Sequence, residues 1–572
     1  MKKIIVIIIG LSLLALGVLI ELDKNVEQKV LNAGLWVDLK LDLGLPDRWI
    51  VKANEWSGET FIGFGLLAFF CLPSNYSSII CSIAGKRWIL DSFCRGWLVL
   101  GETGTGKTSS GIRYILHELF KKAGPFGMLV LDAKGNMYQD VEEIATHYDA
   151  NDRLCLLQVR SPHRPADWKP PFQFNLLSYP NMKPSAYAKL IIDTGASLGQ
   201  SKSGNSSFFA TQAQKHIEEA IKILQSIQKM KNRINEDLLR DLPPDFDEES
   251  GFSPLELYKE MPKYPAMHNI YNFLATPDKT DSYCALIEGI VENYLQELGS
   301  DLVNSLRISI KHFRENLLNQ PEEQQGGVRD TLKNYIGFFL DDDLIEVFCS
   351  EESTFDFTDI DKGILFSVSI PQDFQVERKY INTFLKLLYY VHAKRRFDLP
   401  EFKKEIKKKN LIICLADEAQ NVITAPEGGG LADHEVLGEI REAKATSIFA
   451  TQDLNTISAT GLKDAELETL LANLANRMVF KAASEKTAKN IESKIGFVKK
   501  KEIQKSVSSK GGSSRSFSKK REGIITADEI TKLKPFECII IHCKTGHKRV
   551  KLPPLTNTGE KVKSKYLKTE ET

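Results

Sequence analysis

Hydrophobic positions along this chain fall into runs with different periods. Met1, Lys2 and Lys3 precede an uncharged apolar stretch from Ile4 to Ile20. A second, weaker stretch runs from Phe61 to Leu72 and resumes after Pro73 and Asn75 from Ile79 to Ala84. Crossing a bilayer takes about 20 mostly apolar residues, so both stretches (about 4–20 and 61–84) read as transmembrane segments. Lys2 and Lys3 before the first, and Lys86, Arg87 and Arg95 after the second, put both flanks on the cytoplasmic side and the loop from Glu21 to Glu59 outside. The competing reading, one anchor followed by a buried core hairpin, would leave the rest of the chain outside the cell.

From residue 96 onward the pattern becomes that of an α/β protein. Continuous apolar runs at Gly96–Leu100, Phe126–Leu131, Gly363–Ile370, Leu411–Ala416, Ser447–Ala450 and Arg477–Phe480 read as buried strands of a mostly parallel sheet, and Ser109–Lys122 reads as a helix. Between about 180 and 348 the period changes. Ile217, Ile221, Leu224, Ile227 and Ile234, then Ile287, Ile290, Val291, Tyr294 and Leu298, recur at near-helical spacing and predict an inserted all-α domain. The acidic clusters Asp245–Glu249 and Asp341–Asp343 within it read as solvated surface.

Composition narrows this only slightly. At 572 residues the chain is long enough for two to four domains, and its ordinary globular composition excludes disordered and fibrous classes. With 75 basic and 75 acidic residues there is no global nucleic-acid signal. Locally, Lys499–Arg521 holds nine Lys or Arg and one acid among Ser and Gly, which reads either as a polyanion contact or as a mobile solvated loop. Nine cysteines without a C-x-x-C pair fit reduced thiols. Cys538, His542, Cys543 and His547 crowd together, but the strand-like Ile539–His542 between them alternates faces and argues against a metal site.

The chemistry is concentrated in a few places. Gly101, Glu102, Thr103, Gly104, Thr105, Gly106, Lys107 and Thr108 form G-x-x-x-x-G-K-[ST] between a strand and a helix. In that context the backbone N–H groups of a glycine-rich turn cradle phosphates, Lys107 reaches the β- and γ-phosphates, and Thr108 can ligate Mg²⁺. The expected cofactors are therefore ATP and Mg²⁺. Asp417 and Glu418 end the 411–416 strand, where α/β sheets place ligands; Asp417 suits the metal and Glu418 the base that orients or deprotonates water. Asp132, the rival, lacks a second acid and is left a supporting role. Gln452, at the end of the next strand, could contact the γ-phosphate or its water. Arg441 could act in trans on a neighbouring subunit's site or form a surface ion pair.

Taken together, the P-loop, Leu131–Gly135, Ser206–Ala210, Asp417-Glu418, Arg441, Gln452, Ala472–Asn476 through Lys494–Gly496, Ile524–Ile530 and Leu533–Glu537 resemble a type IV secretion coupling protein of the TraG/TraD kind. The resemblance implies a RecA-like P-loop ATPase fold with an inserted all-α domain and a two-helix membrane anchor, assembled as a hexameric ring in the bacterial inner membrane with the ATPase domain cytoplasmic. It implies single-stranded DNA with its relaxase, or protein effectors, as cargo, and secretion-channel components as partners. By match, Lys107 and Thr108 form the P-loop pair, Asp417 and Glu418 the second acidic motif, Gln452 the sensor and Arg441 the finger in trans. Two departures stand out: Asp132-Ala-Lys-Gly-Asn136 replaces the usual D-P-K-G-[DE], and the loop at Pro426–Gly430 is long. The implied organisation is an anchor at 1–88, ATPase parts at 89–179 and 349–556 flanking the helical insertion at 180–348, and a tail at 557–572. An FtsK-like translocase is the other motor of this type, and too few residues follow Leu555 for the winged helix it would need. A platform that chiefly recruits protein effectors is the remaining alternative.

Overall fold

The computed structural model describes residues 79–198, 206–234, 253–425, 431–507 and 513–562. The predicted membrane segment at 4–20, the 61–72 part of the second, the Asp245–Glu249 cluster and the Pro426–Gly430 loop lie outside the described residues. Among the described residues no helix is long and apolar enough to cross a membrane.

The end of the second apolar stretch is not a membrane segment. Ile79–Ile83 forms strand β1 and pairs antiparallel with β2 (Lys86–Ile89). The two-residue connection, Ala84 at φ 51° and Gly85 at φ 83°, has the positive φ values that suit a tight hairpin turn. Cys81, Ile83 and Trp88 are buried in the same core cluster as Ile115 and Leu119 of helix α1 (Arg113–Lys122). A five-residue strand with four apolar positions is too short a run to span lipid but enough for one strand packed on the core.

The main sheet has nine strands in the order β13-β12-β9-β3-β8-β7-β4-β6-β5. These are β3 (Trp97–Leu100), β4 (Phe126–Asp132), β5 (Leu154–Gln158), β6 (Leu365–Ser369), β7 (Leu411–Asp417), β8 (Ala445–Thr451), β9 (Asn476–Val479), β12 (Glu537–His542) and β13 (Gly546–Lys551). All neighbours from β9 to β5 are parallel, and the hairpin β12–β13 closes the edge antiparallel to β9. Strands buried on both faces must be apolar at every position, which is why these runs show no alternation. Successive residues serve opposite cores. Trp97 and Val99, Met128 and Val130, Ile413 and Leu415 pack on the side of α1 and α2 (Met137–His147). Leu98 and Leu100, Leu129 and Leu131, Ile412 and Cys414 pack on the other side, where the cluster continues into the helical segment.

That helical segment lies between β5 and β6. Its axis is α4 (Ser206–Lys231), packed by α3 (Pro184–Ser197), α5 (Ser300–Phe313) and α6 (Glu322–Ile336). Ile217, Ile221, Leu224 and Ile227, the stripe visible in the sequence, are fully buried on it. The long helix α7 (Gln375–Arg395) returns the chain to the sheet, and α8 (Asp464–Asn473) and α9 (Glu485–Ile495) flank β9.

The basic stretch at 499–521 is not an irregular loop. It forms a separate two-stranded antiparallel ribbon of β10 (Phe497–Val507) and β11 (Ser513–Gly523).

Candidate nucleotide site

Strand order decides which residues meet. Because β7 and β8 insert between β3 and β4, the C-terminal ends of β3, β8, β7 and β4 stand side by side, with Leu100 opposite Thr451 and Asp132 opposite Asp417. Residues more than 300 positions apart thereby share one sheet edge, the place where parallel sheets bind ligands.

The glycine-rich loop leaves β3 and is braced on both sides. The Glu102 N–H donates to the Lys481 carbonyl at 2.9 Å, and the Lys481 ammonium pairs with the Glu102 carboxylate at 2.6 Å. On the other side the Phe536 N–H donates to the Thr105 carbonyl at 3.0 Å. A Cβ at Gly101 would stand 2.7 Å from Phe480 Cβ, and one at Gly106, whose φ is 107°, 2.8 Å from the Phe536 ring. Only glycine lets the backbone pass there. Thr103 and Gly104 form the exposed tip, and Thr108 is partly exposed just inside the helical turn Lys107–Ile112.

Lys107 is 8% exposed, and its Nζ donates to the Gly101 carbonyl at 2.7 Å, curled over its own loop. Burial lowers its pKa below the ordinary lysine range, while Glu418 and Asp417 pull it back up. Its ammonium thus sits within electrostatic reach of both acids.

Glu418 is buried and adopts φ 52°. A left-handed, non-glycine residue at a strand end is an uncommon conformation that its surroundings must hold in place. Here they do so: Gln452 donates from Nε2 to Glu418 Oε1 at 3.0 Å and Gln420 donates from Nε2 to Glu418 Oε2 at 2.8 Å. Gln420 is itself fixed by the Thr451 hydroxyl, which donates to its Oε1 at 2.8 Å. Beside it, Asp417 is pushed up to about 6, first by burial and then by the Asp132 and Glu418 carboxylates. Three acids thus act on one another at this edge, although among the described residues no group of three or more His, Cys, Asp or Glu side chains is placed to hold a metal ion.

Asp132 has a different task. Its carboxylate accepts from the backbone N–H groups of Lys134 at 2.9 Å, Asn136 at 2.7 Å and Met137 at 2.7 Å, and so it caps the start of α2. Asn136 makes no side-chain cap of its own.

Arg441 is not brought to this edge. It lies in the turn Ile440–Ala443 just before β8 begins, at the opposite end of the sheet, with its Nε 3.8 Å from Asp91. Any catalytic use of Arg441 must therefore be by another copy of the chain. Gln420 and Lys481 escaped the sequence reading, and Phe536, within the Leu533–Glu537 segment that carries the resemblance, has no role in it. Gln420, two residues from Glu418, was the one with a local signal.

A family model described as type IV secretory system conjugative DNA transfer matches residues 81–552. No curated protein sequence matches the chain significantly. Among solved structures, the bacterial conjugative coupling protein TrwBdeltaN70 in an unbound form superposes with a TM-score of 0.54 at 14% identity, covering 86% of this chain and 91% of that one. The plasmid coupling protein TrwB with a non-hydrolysable GTP analogue gives a TM-score of 0.52 at 13% identity over 84% and 91% of the two chains. TrwB with ADP and Mg²⁺ gives 0.50 at 13% identity over 83% and 89%. At these identities the likeness is one of fold.

Proposed function

Since this chain belongs to the type IV secretory system conjugative DNA transfer family, we propose that it is an ATPase motor that couples single-stranded DNA, delivered with its relaxase, to a secretion channel. The observation that carries the reading is the Glu418 carboxylate, held from both oxygens by Gln452 and Gln420 on the sheet edge that bears the P-loop. A carboxylate fixed in this way is oriented to polarise a water, and its two amide partners lie just after β8 and in the turn after β7, elements that can transmit a change at the site.

In this reading the backbone of Gly101–Gly106 and the Lys107 ammonium hold the phosphates, and Thr108 with Asp417 holds Mg²⁺. Bound Mg²⁺ would neutralise charge on the phosphate oxygens. Lys107 exchanges its contact with the Gly101 carbonyl for a phosphate oxygen, Glu418 takes the proton of the attacking water, and Gln452 keeps Glu418 aimed. The bound GTP analogue and the ADP and Mg²⁺ in the TrwB structures support a nucleotide at this place. Apolar sequence upstream of Ile79 supports an anchor in the bacterial inner membrane with the ATPase domain cytoplasmic. The trans-acting Arg441 of the proposal calls for a ring, taken to be a hexamer.

ATP turnover of the full chain, with and without single-stranded DNA, tests this. Lys107→Ala should weaken nucleotide binding and abolish turnover. Glu418→Gln should retain binding while turnover falls roughly 10²–10⁴-fold, the usual worth of a general base. Turnover that ignores DNA but rises with a secreted protein would replace DNA by protein effectors as the cargo.

A further inference from the structure

The β10–β11 ribbon pairs with no other strand among the described residues. At its root the Arg521 guanidinium stacks 4.3 Å over the Phe497 ring, and Gly523 lies where a side chain would collide with Glu492. An isolated two-stranded ribbon is marginally stable in water, so its sequence should favour cross-strand attraction. The register shows the opposite. Lys499 stands directly opposite Arg521, Lys500 opposite Lys520, Lys501 opposite Lys519, and Lys505 opposite Arg515. Like charges at directly opposed positions, about 5 Å apart at Cβ, destabilise the pairing.

The like-charged pairs also segregate. Positions two apart share a face of a strand, so the pairs 499/521, 501/519 and 505/515 occupy one face over a ribbon about 35 Å long. Three further pairs share that face: Ile503 opposite Phe517 between the cationic ones, Val507 opposite Ser513 beyond 505/515, and Phe497 opposite Gly523 at the root. The other face carries Glu502 and Glu522 as well as the Lys500–Lys520 pair, and there Lys500 meets Glu522 at 3.0 Å. One face therefore has three of its six pairs cationic on both strands and no acid, with aromatic positions at 497 and 517, and the other is mixed.

We infer that the cationic face of the β10–β11 ribbon binds single-stranded nucleic acid. Phosphates along it relieve the opposed positive pairs and release counterions, and the Phe517 position offers a base a stacking platform. The inference rests on the DNA-transfer reading above and adds the element that holds the strand.

The test is fluorescence anisotropy of labelled oligo-dT with the full-length protein from 0.05 to 0.3 M salt. A six-fold variant carries Lys499→Gln, Lys501→Gln, Lys505→Gln, Arg515→Gln, Lys519→Gln and Arg521→Gln, and a second variant carries Phe517→Ala. Expected results are a drop of at least tenfold in affinity for the six-fold variant, a salt slope flatter by up to about 4 (about 0.7 per contact), and a fall of several-fold or more for Phe517→Ala. Binding of a fluorescent ATP analogue should be unchanged in both, which shows that the fold is intact. Wild-type DNA binding that both variants retain would overturn the ribbon assignment and leave the DNA-transfer reading standing. No DNA binding by the wild type at the lowest salt would overturn that reading and the ribbon assignment with it. Variants that lose binding only to phosphatidylglycerol vesicles would overturn the assignment in favour of a membrane contact.

Discussion

Asp417 shows how one residue can link stability, pH and cation binding. Its carboxyl is pushed up to about 6, whereas an unfolded aspartate titrates near 3.9. Between those values the folded protein holds a proton that the unfolded chain has lost, so the stability this group confers is present below about pH 4 and disappears as pH rises through about 6. Asp417→Asn should flatten that limb and raise Tm at pH 7–8 in nucleotide-free protein. A divalent cation needs the ionised form, so the rise in Tm that Mg²⁺ with ADP gives the wild type should shrink as pH falls below about 6. Thermal melts from pH 5 to 8 measure both effects; equal ligand-induced shifts at the two ends would rule out Asp417 as the ligand. Its neighbour Glu418 was legible in the sequence as a second acid at a strand end. Its grip by Gln420 and Gln452 was not, because Gln452 arrives on a different strand.

Two elements turn out to be held by groups whose sequence context suggested something else. Asp132 resembled a site acid, yet its carboxylate, 2% exposed, satisfies three backbone donors at the start of α2. Asp132→Ala would bury those donors unpaired and should cost about 2–4 kcal/mol, with Asn recovering part of the loss. Chemical denaturation measures the cost, and nucleotide affinity should change far less than stability. Strand β1 is the second case. Ile79–Ile83 looked like the end of a membrane segment because periodicity cannot tell a short, mostly apolar strand from the tail of a longer apolar run. A chain shortened to begin at residue 86 loses the burial of Ile80 and Ile83 against the α1 side of the sheet, worth about 3–6 kcal/mol. It should melt several degrees below one beginning at residue 78, and equal melting temperatures would show that β1 adds nothing to the fold.

For the whole molecule, the position of Arg441 at the end of the sheet away from its own P-loop turns a question of catalysis into one of assembly. Arg441→Ala should leave nucleotide affinity intact and lower turnover by about 10³-fold or more, as expected of a finger supplied in trans. Sedimentation with ATP, Mg²⁺ and DNA is the companion measurement; monomers under all conditions would reduce Arg441 to its ion pair with Asp91. The sequence by itself determined what depends on neighbours along the chain. The P-loop needs only its own glycines, Lys107 and Thr108; the buried strands announce themselves as unbroken apolar runs; and the helical insertion announces itself by a 3.6-residue stripe on α4. Tertiary structure alone decided what depends on strand order and register. Only the pairing of β7 with β8 brings Gln452 to Glu418, only their insertion between β3 and β4 brings both to the P-loop edge, only the end of β9 and the approach to β12 brace the P-loop through Lys481 and Phe536, and only cross-strand register sets lysine against lysine along the β10–β11 ribbon. Local patterns follow from short-range backbone geometry, whereas these contacts join segments whose separation in sequence carries no trace of their distance in space.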